Sequence, residues 1–256
     1  MDPDVGRPVS AASPHDDLRR EVIRVLDASE EAEIVLRVTG GLAVWLRCPS
    51  AVRPPLARDF KDLDLVGQAG EARPIADLLG SLGYVPDKEF NQLHGHQRLY
   101  FWDPVNERQL DVFIERMTMS HELDLSGRLD IDDRTITLAD LLLTKLQVVE
   151  TNEKDLKDAV AILADHPLDP RGIDPARIEA VLARDWGWWR TAMETLDKVV
   201  AYAARLDHFA DAATVRRRAE ELRRRVDESP KSFKWRARAK VGERVRWYEL
   251  PEEIQG

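Results

Sequence analysis

Arg58-Asp59-Phe60-Lys61-Asp62-Leu63-Asp64-Leu65 is the stretch on which the reading of this chain turns. Phe60, Leu63 and Leu65 are apolar, and Lys61, Asp62 and Asp64 are charged. This pattern predicts a strand over 60–66 with charge gathered on one face. Side chains at i and i+2 of a strand share a face, with Cα atoms about 6.5–7 Å apart. Asp62 and Asp64 placed that way can converge on a hard divalent cation, which takes oxygen ligands. The competing reading is a solvated strand face, which describes most D-x-D pairs.

Working outward, a third carboxylate lies in Gln109-Leu110-Asp111-Val112-Phe113-Ile114. Val112 and Ile114 would share one face of this strand, and Asp111 would share the other with Phe113. An unpaired charge inside an apolar strand is costly to bury, so Asp111 needs a partner. If this strand neighbours 60–66, three carboxylates cluster and can hold two ions, an arrangement suited to phosphoryl transfer. Upstream, 33–38 suits a buried strand, and Thr39-Gly40-Gly41 ends it before a helix opens at 42–46. Paired glycines at a helix N-terminus allow close approach of a phosphate to free N–H groups. A pair of glycines could equally make a tight turn.

The rest of the chain sorts into strands, then helices. A helix is expected over 15–29, a Pro-rich loop at 49–55 and a helix over 71–82. Strands are expected over 98–102 and 109–114, with another near 123–129. From 137 onward the spacing is helical at 138–150, 153–164, 175–184, 190–206 and 212–226. This is an α+β layout with a boundary near 130–137.

The order of glycine turn, D-x-D strand and single strand Asp resembles the nucleotidyltransferase superfamily, the polymerase-beta-like fold. Arg58 to Leu65 looks like its AbiEii-type branch, in which a basic residue often precedes D-I-D-L. Thr144-Lys145-Leu146 followed by Glu153-Lys154-Asp155-Leu156-Lys157-Asp158 is similar to that branch's helical motif. The resemblance covers roughly 34–165. It departs from the common pattern at Gly41, where many members carry Ser, and in the long, three-proline stretch between Gly41 and Asp62.

What the resemblance implies can be stated residue by residue. The fold would be a nucleotidyltransferase-like mixed sheet flanked by helices, followed by an all-helical C-terminal region. A catalytic domain would occupy 15–132, a helical domain 133–210, and a basic C-terminal helix and tail 211–256. Asp62, Asp64 and Asp111 would hold Mg²⁺ or Mn²⁺ and, with Lys145, form the catalytic set. Thr39, Gly40, Gly41, Lys145 and Asp158 would bind the nucleotide; Arg98, which opens a strand expected to pair with that of Asp111, and Arg58 could reach the triphosphate by their positions in the chain. The reaction would transfer a nucleoside monophosphate from an NTP to an acceptor hydroxyl. The acceptor could be tRNA, and the protein a toxin with an antitoxin partner. The rivals are a non-catalytic nucleic-acid- or protein-binding protein on the same scaffold, and an aminoglycoside-type small-molecule transferase. Without the resemblance, Lys145 is a lone Lys in an apolar helix, as well explained by a surface position as by a functional partner. Asp155 reads as part of an exposed charged face.

Composition bounds the remaining choices. With 43% hydrophobic residues the chain can build a substantial core. No apolar run approaches the ~18 residues a membrane span needs. Residues 1–14 read as a disordered leader without signal-peptide features. Cys48 is the single cysteine and can form no internal disulfide. These features point to a cytoplasmic protein. The net charge of −9 is uneven, because 211–248 holds 13 Lys/Arg against 6 Asp/Glu, which is +7, and leaves −16 elsewhere. That segment is the natural RNA footprint, or else a charged helix docked on an acidic body. His94-Gly95-His96 lacks metal-ligand spacing and reads as loop. Trp186, Trp188 and Trp189 read as packing between helices rather than as a base-stacking platform.

Overall fold

The computed structural model describes residues 13–249. Of the expected leader at 1–14, all but Ser13 and Pro14 lies outside them, and Pro14 is buried. The first helix, α1 (Leu18–Glu31), begins three residues later than its periodicity predicts. The reason is Asp17, whose carboxylate accepts from the Arg19 amide and caps the helix there. Then come β1 (Leu36–Val38), α2 (Gly40–Arg47), a 3-10 turn at Pro49–Val52, β2 (Leu63–Gly67) and α3 (Ala72–Ser81). The chain continues through β3 (Val85–Pro86), α4 (Lys88–His94), β4 (Arg98–Asp103) and β5 (Arg108–Ile114). A small hairpin, β6 (Arg116–Thr118) with β7 (Glu122–Asp124), closes the strand-rich half.

Five strands form one mixed sheet in the order β1-β2-β5-β4-β3. The central pair, β2 and β5, is parallel, and every other pairing is antiparallel. Leu63, Leu65, Leu110 and Val112 are buried on the face that meets the helices. The strand expected over 60–66 starts three residues later, at Leu63. Pairing with β5 begins at Leu63 opposite Leu110, and 60–62 lie outside that ladder. The strand expected over 123–129 shrinks to Glu122–Asp124, and Leu125 and Leu129 are buried outside any strand.

The helical half is α5 (Leu138–Leu146), α6 (Glu153–Asp165), α7 (Pro175–Leu182), α8 (Trp186–Ala203), α9 (Ala212–Glu228) and α10 (Phe233–Val241). All nine residues of α5 are buried, so it is the central helix. One apolar core runs from Leu18 through the sheet and α5 to Val226, crossing the boundary drawn at residue 133. Burial on all sides forces the two charges of α5 to find partners. Asp140 takes Arg128 and Arg177, each at 2.7 Å, and the hydroxyl of Thr137 at 2.7 Å. Among the described residues, no helix is long and apolar enough to cross a membrane.

Candidate active site

β2 and β5 run side by side, with Asp64 directly opposite Asp111. The glycine turn is tied to the same point, because the Thr39 amide donates to the Asp64 carbonyl at 3.0 Å. Gly40 follows with φ of +64°, a conformation that side chains other than glycine's rarely adopt. A Cβ there would also sit 2.5 Å from Asp64 Oδ2. The backbone of the turn is therefore pressed against the carboxylate. A Cβ on Gly41 would run into the guanidinium of Arg58.

Asp62 precedes β2 and is exposed, so it does not share the strand geometry expected for the D-x-D pair. It remains electrostatically coupled to the other two carboxylates. Burial, then the charges of Asp62 and Asp111, push Asp64 up to about 7, against the pull of Lys145 and Arg98. Burial also raises Asp111, although Arg98 opposes it. Arg98 Nε donates to Asp111 Oδ1 at 2.8 Å, and its guanidinium lies 5.0 Å from the centre of the Phe113 ring. The partner that a charge in an apolar strand requires is thus Arg98, from the neighbouring strand β4.

Behind this group lies a second, neutral one. Arg58 grips Asp158 with two hydrogen bonds, Nε to Oδ1 at 2.9 Å and Nη2 to Oδ2 at 2.8 Å. Lys145 Nζ reaches Asp158 at 2.9 Å and Asp155 at 3.3 Å. Burial works against the charge on Lys145, but Asp158 and Asp155 outweigh it and its pKa is raised. Burial likewise opposes the charge on Asp158, and Lys145 with Arg58 overcomes it, so Asp158 is lowered. Asp155 therefore belongs to the network and not to an exposed charged face. The signal for it was present in sequence, since Asp155 and Asp158 lie one helical turn apart on the face that meets α5. Sequence reasoning also missed Arg19. It donates to the Arg58 carbonyl at 3.4 Å and covers the Phe60 ring at 5.1 Å.

The Thr39 side chain is buried, and its hydroxyl donates to Met117 Sδ at 3.8 Å. His94 ends α4, with its ring 4.8 Å from that of Phe90, and among the described residues neither it nor His96 joins a metal-ligand group.

Asp62, Asp64 and Asp111 against Arg98 leave two negative charges when all are ionised, whereas Arg58, Lys145, Asp155 and Asp158 cancel. An all-oxygen donor set with that surplus suits a hard divalent cation. The missing Cβ of Gly40 lets the backbone of the turn approach Asp64 Oδ2 closely. As they stand, no three acidic, His or Cys side chains among the described residues form a cage. Arg98 is closed onto Asp111, and a cation there would have to take its place.

No protein-family model matches the chain, and a search of curated proteins finds no match. Among solved structures, an antigenic nucleotidyltransferase-like protein from Paracoccidioides brasiliensis aligns at 15% identity with a TM-score of 0.43, over 80% of this chain and 94% of that one. The JHP933 protein of Helicobacter pylori aligns at 14% identity and a TM-score of 0.39, over 82% and 93%. The antibiotic-resistance factor ANT(2'')-Ia aligns at 16% identity and a TM-score of 0.38, over 57% and 82%. At such distances the site has to be read from its own residues.

Proposed function

We propose that the chain is a divalent-metal-dependent nucleotidyltransferase of the polymerase-beta-like type, in which an acceptor hydroxyl attacks the α-phosphorus of an NTP, takes the nucleoside monophosphate and releases pyrophosphate. The observation that carries this reading is the pairing of Asp64 with Asp111 across parallel strands, with the Gly40 backbone pressed against Asp64. Asp62, Asp64 and Asp111 would hold Mg²⁺ or Mn²⁺. Bound there, the cation would neutralise charge developing on the triphosphate and make the acceptor hydroxyl easier to ionise.

The remaining steps belong to the chain's own residues. The free amides at the start of α2, at Gly40 and Gly41, would face the phosphates. Arg98, once released from Asp111, would turn its guanidinium to them as well. Asp111 would then be free to accept the proton of the attacking hydroxyl. Lys145 and Asp158 would fix the position of Arg58 against the glycine turn and lend a positive field to Asp64. The AbiEii-type motifs favour an RNA acceptor, with tRNA engaged through 211–248 and an antitoxin protein as regulator.

Incubation with each radiolabelled NTP, Mg²⁺ and total RNA, followed by separation of RNA from protein, tests the reading. Label is expected in RNA with one nucleotide and is lost in Asp64→Ala. Labelling that persists in a pure, folded Asp64→Ala protein would sink it.

A further inference from the structure

The basic segment 211–248 divides into two parts with different fates. In α9 most of the arginines are used internally. Arg225 pairs with Glu179 at 2.7 Å, Arg223 with Asp197 at 2.5 Å, and Arg224 with Glu221 and Glu228 at 2.8 and 2.6 Å. Arg218 donates to the Leu163 and Ala164 carbonyls at the end of α6, both at 2.7 Å. Val215, Ala219, Leu222 and Val226 bury the other side of α9 against the core. This helix is docked on the acidic body.

Residues 231–248 behave otherwise. They hold seven cations (Lys231, Lys234, Arg236, Arg238, Lys240, Arg244 and Arg246) against Glu243, a net charge of +6. None of the seven forms a salt bridge among the described residues, and Glu243 is taken by Arg190 at 2.7 Å. On a chain of net charge −9, so many unneutralised cations on one exposed segment mark a surface made for a polyanion.

The same segment walls a cleft of about 760 Å³ between α10, the start of α8 and the strap 245–249. The strap is built in place. Trp247 Nε1 donates to Thr191 Oγ1 at 3.2 Å, and the Glu249 amide donates to the Ser120 carbonyl at 3.1 Å. Arg238 donates to the Gly242 and Val245 carbonyls, both at 2.6 Å, and lies 4.9 Å from the centre of the Trp186 ring. Gly187 allows the strap to pass, since a Cβ there would meet the Trp247 carbonyl at 2.6 Å. Into this cleft face three exposed cations without carboxylate partners among the described residues, Arg184, Lys234 and Arg246, beside the aromatic rings of Trp235, Trp247 and Tyr248.

We propose that this cleft binds a single-stranded polynucleotide, with Arg184, Lys234 and Arg246 on its phosphates and the aromatic rings against its bases. Cations interleaved with aromatic rings in a groove are the means by which proteins hold single strands. A membrane surface fits less well. Along α10, Lys234, Arg236, Arg238 and Lys240 alternate with Phe233, Trp235, Ala237 and Ala239, and alternation on a helix scatters charge around every side. No apolar face forms to enter a bilayer.

Binding is measured by fluorescence anisotropy with labelled oligo(U), oligo(dT) and a duplex, each about 20 nucleotides long. The full chain is used in EDTA without NTP, so the outcome is independent of any transferase activity. Both single strands are expected to bind more tightly than the duplex and to quench tryptophan fluorescence. A preference between them would identify RNA or DNA as the natural ligand. The Arg184→Ala/Lys234→Ala/Arg246→Ala variant removes three phosphate contacts. Each contributes about 0.7 to the salt exponent for a single strand, so the slope should fall by about 2 and affinity roughly 100-fold at ~0.1 M salt. A charge-reversed Lys234→Glu/Arg246→Glu protein repeats the measurement should the triple variant prove unstable. Absence of salt-dependent binding to either single strand would overturn the proposal. So would undiminished binding by both variants, or binding to phosphatidylserine vesicles with none to polynucleotides.

Discussion

Replacing Asp64 with Asn is expected to stabilise the metal-free protein at alkaline pH. Burial beside Asp62 and Asp111 raises Asp64 to about 7 in the folded chain. In the unfolded chain a carboxyl ionises near 4. The folded state therefore binds the proton more tightly, and this contribution is fully present below pH 4. It is lost as pH rises through 7, where Asp64 must carry its charge beside two others. A rise of roughly three pH units corresponds to about 4 kcal/mol between the neutral and charged forms. Asp64 keeps part of its surface open to solvent, so screening reduces the usable figure to about 1–2 kcal/mol. Asn keeps the shape and never ionises. Thermal melts in EDTA should show Asp64→Asn melting about 3–6 °C above the parent at pH 8, and within about 1 °C of it at pH 5. Added Mn²⁺ should raise the melting temperature of the parent only. Equal stability at pH 8, or the same gain at both pH values, would show that Asp64 is not an electrostatically strained group.

The other expectations follow from the same contacts. Gly40→Ala combines a left-handed φ with a Cβ against Asp64 Oδ2, and should lower stability in urea by about 1–3 kcal/mol. Asp158→Ala strands Arg58 and weakens the hold on Lys145. A loss of about 3–5 kcal/mol is expected in urea, and a loss within about 1 kcal/mol would mean that the pair is exposed in solution. Mn²⁺ binding, followed by calorimetry, should weaken about tenfold per pH unit below 7 and level off above it, because the cation must displace the Asp64 proton. Affinity that stays flat from about pH 6 to 8 would contradict the value assigned to Asp64.

The parts of the site that sit on regular strands were legible in the sequence. Asp111 stands out because its neighbours are apolar, and a charge in such a strand demands a partner. Gly40 stands out because it follows a strand and opens a helix. Asp62 was misplaced because periodicity marks where a strand can form, whereas pairing decides where it does. The ladder between β2 and β5 begins at Leu63 opposite Leu110, although β5 itself starts at Arg108, so the residues before Leu63 lie outside the pairing. The short elements β3 and α4 escaped for a related reason. Val85–Pro86 exists through its pairing with Phe101 and Trp102, and no local pattern announces it. The place of Thr39 in the turn was legible, whereas which way its hydroxyl points depends on the core it meets, here Met117. Trp186 and Trp188 are buried, as packing between helices requires, while Trp186 also carries Arg238 on its ring.

The distribution of arginine and lysine explains why the strand-rich and helical halves share one core. Asp64 and Asp111 stand on the sheet, but part of the positive field that restrains Asp64 comes from Lys145 on α5. Lys145 in turn is held by Asp155 and Asp158 on α6, and Asp158 also anchors Arg58, whose guanidinium packs under Gly41. The chain of contacts returns through Gly40 to Asp64. Removing the helices would leave Arg58 without Asp158 and Asp64 without Lys145, beside Asp62 and an Asp111 compensated by Arg98 alone. The acidic group on β2 and β5 is thus tolerable only because α5 and α6 close the loop behind it, and its remaining charge of −2 is what a divalent cation would neutralise.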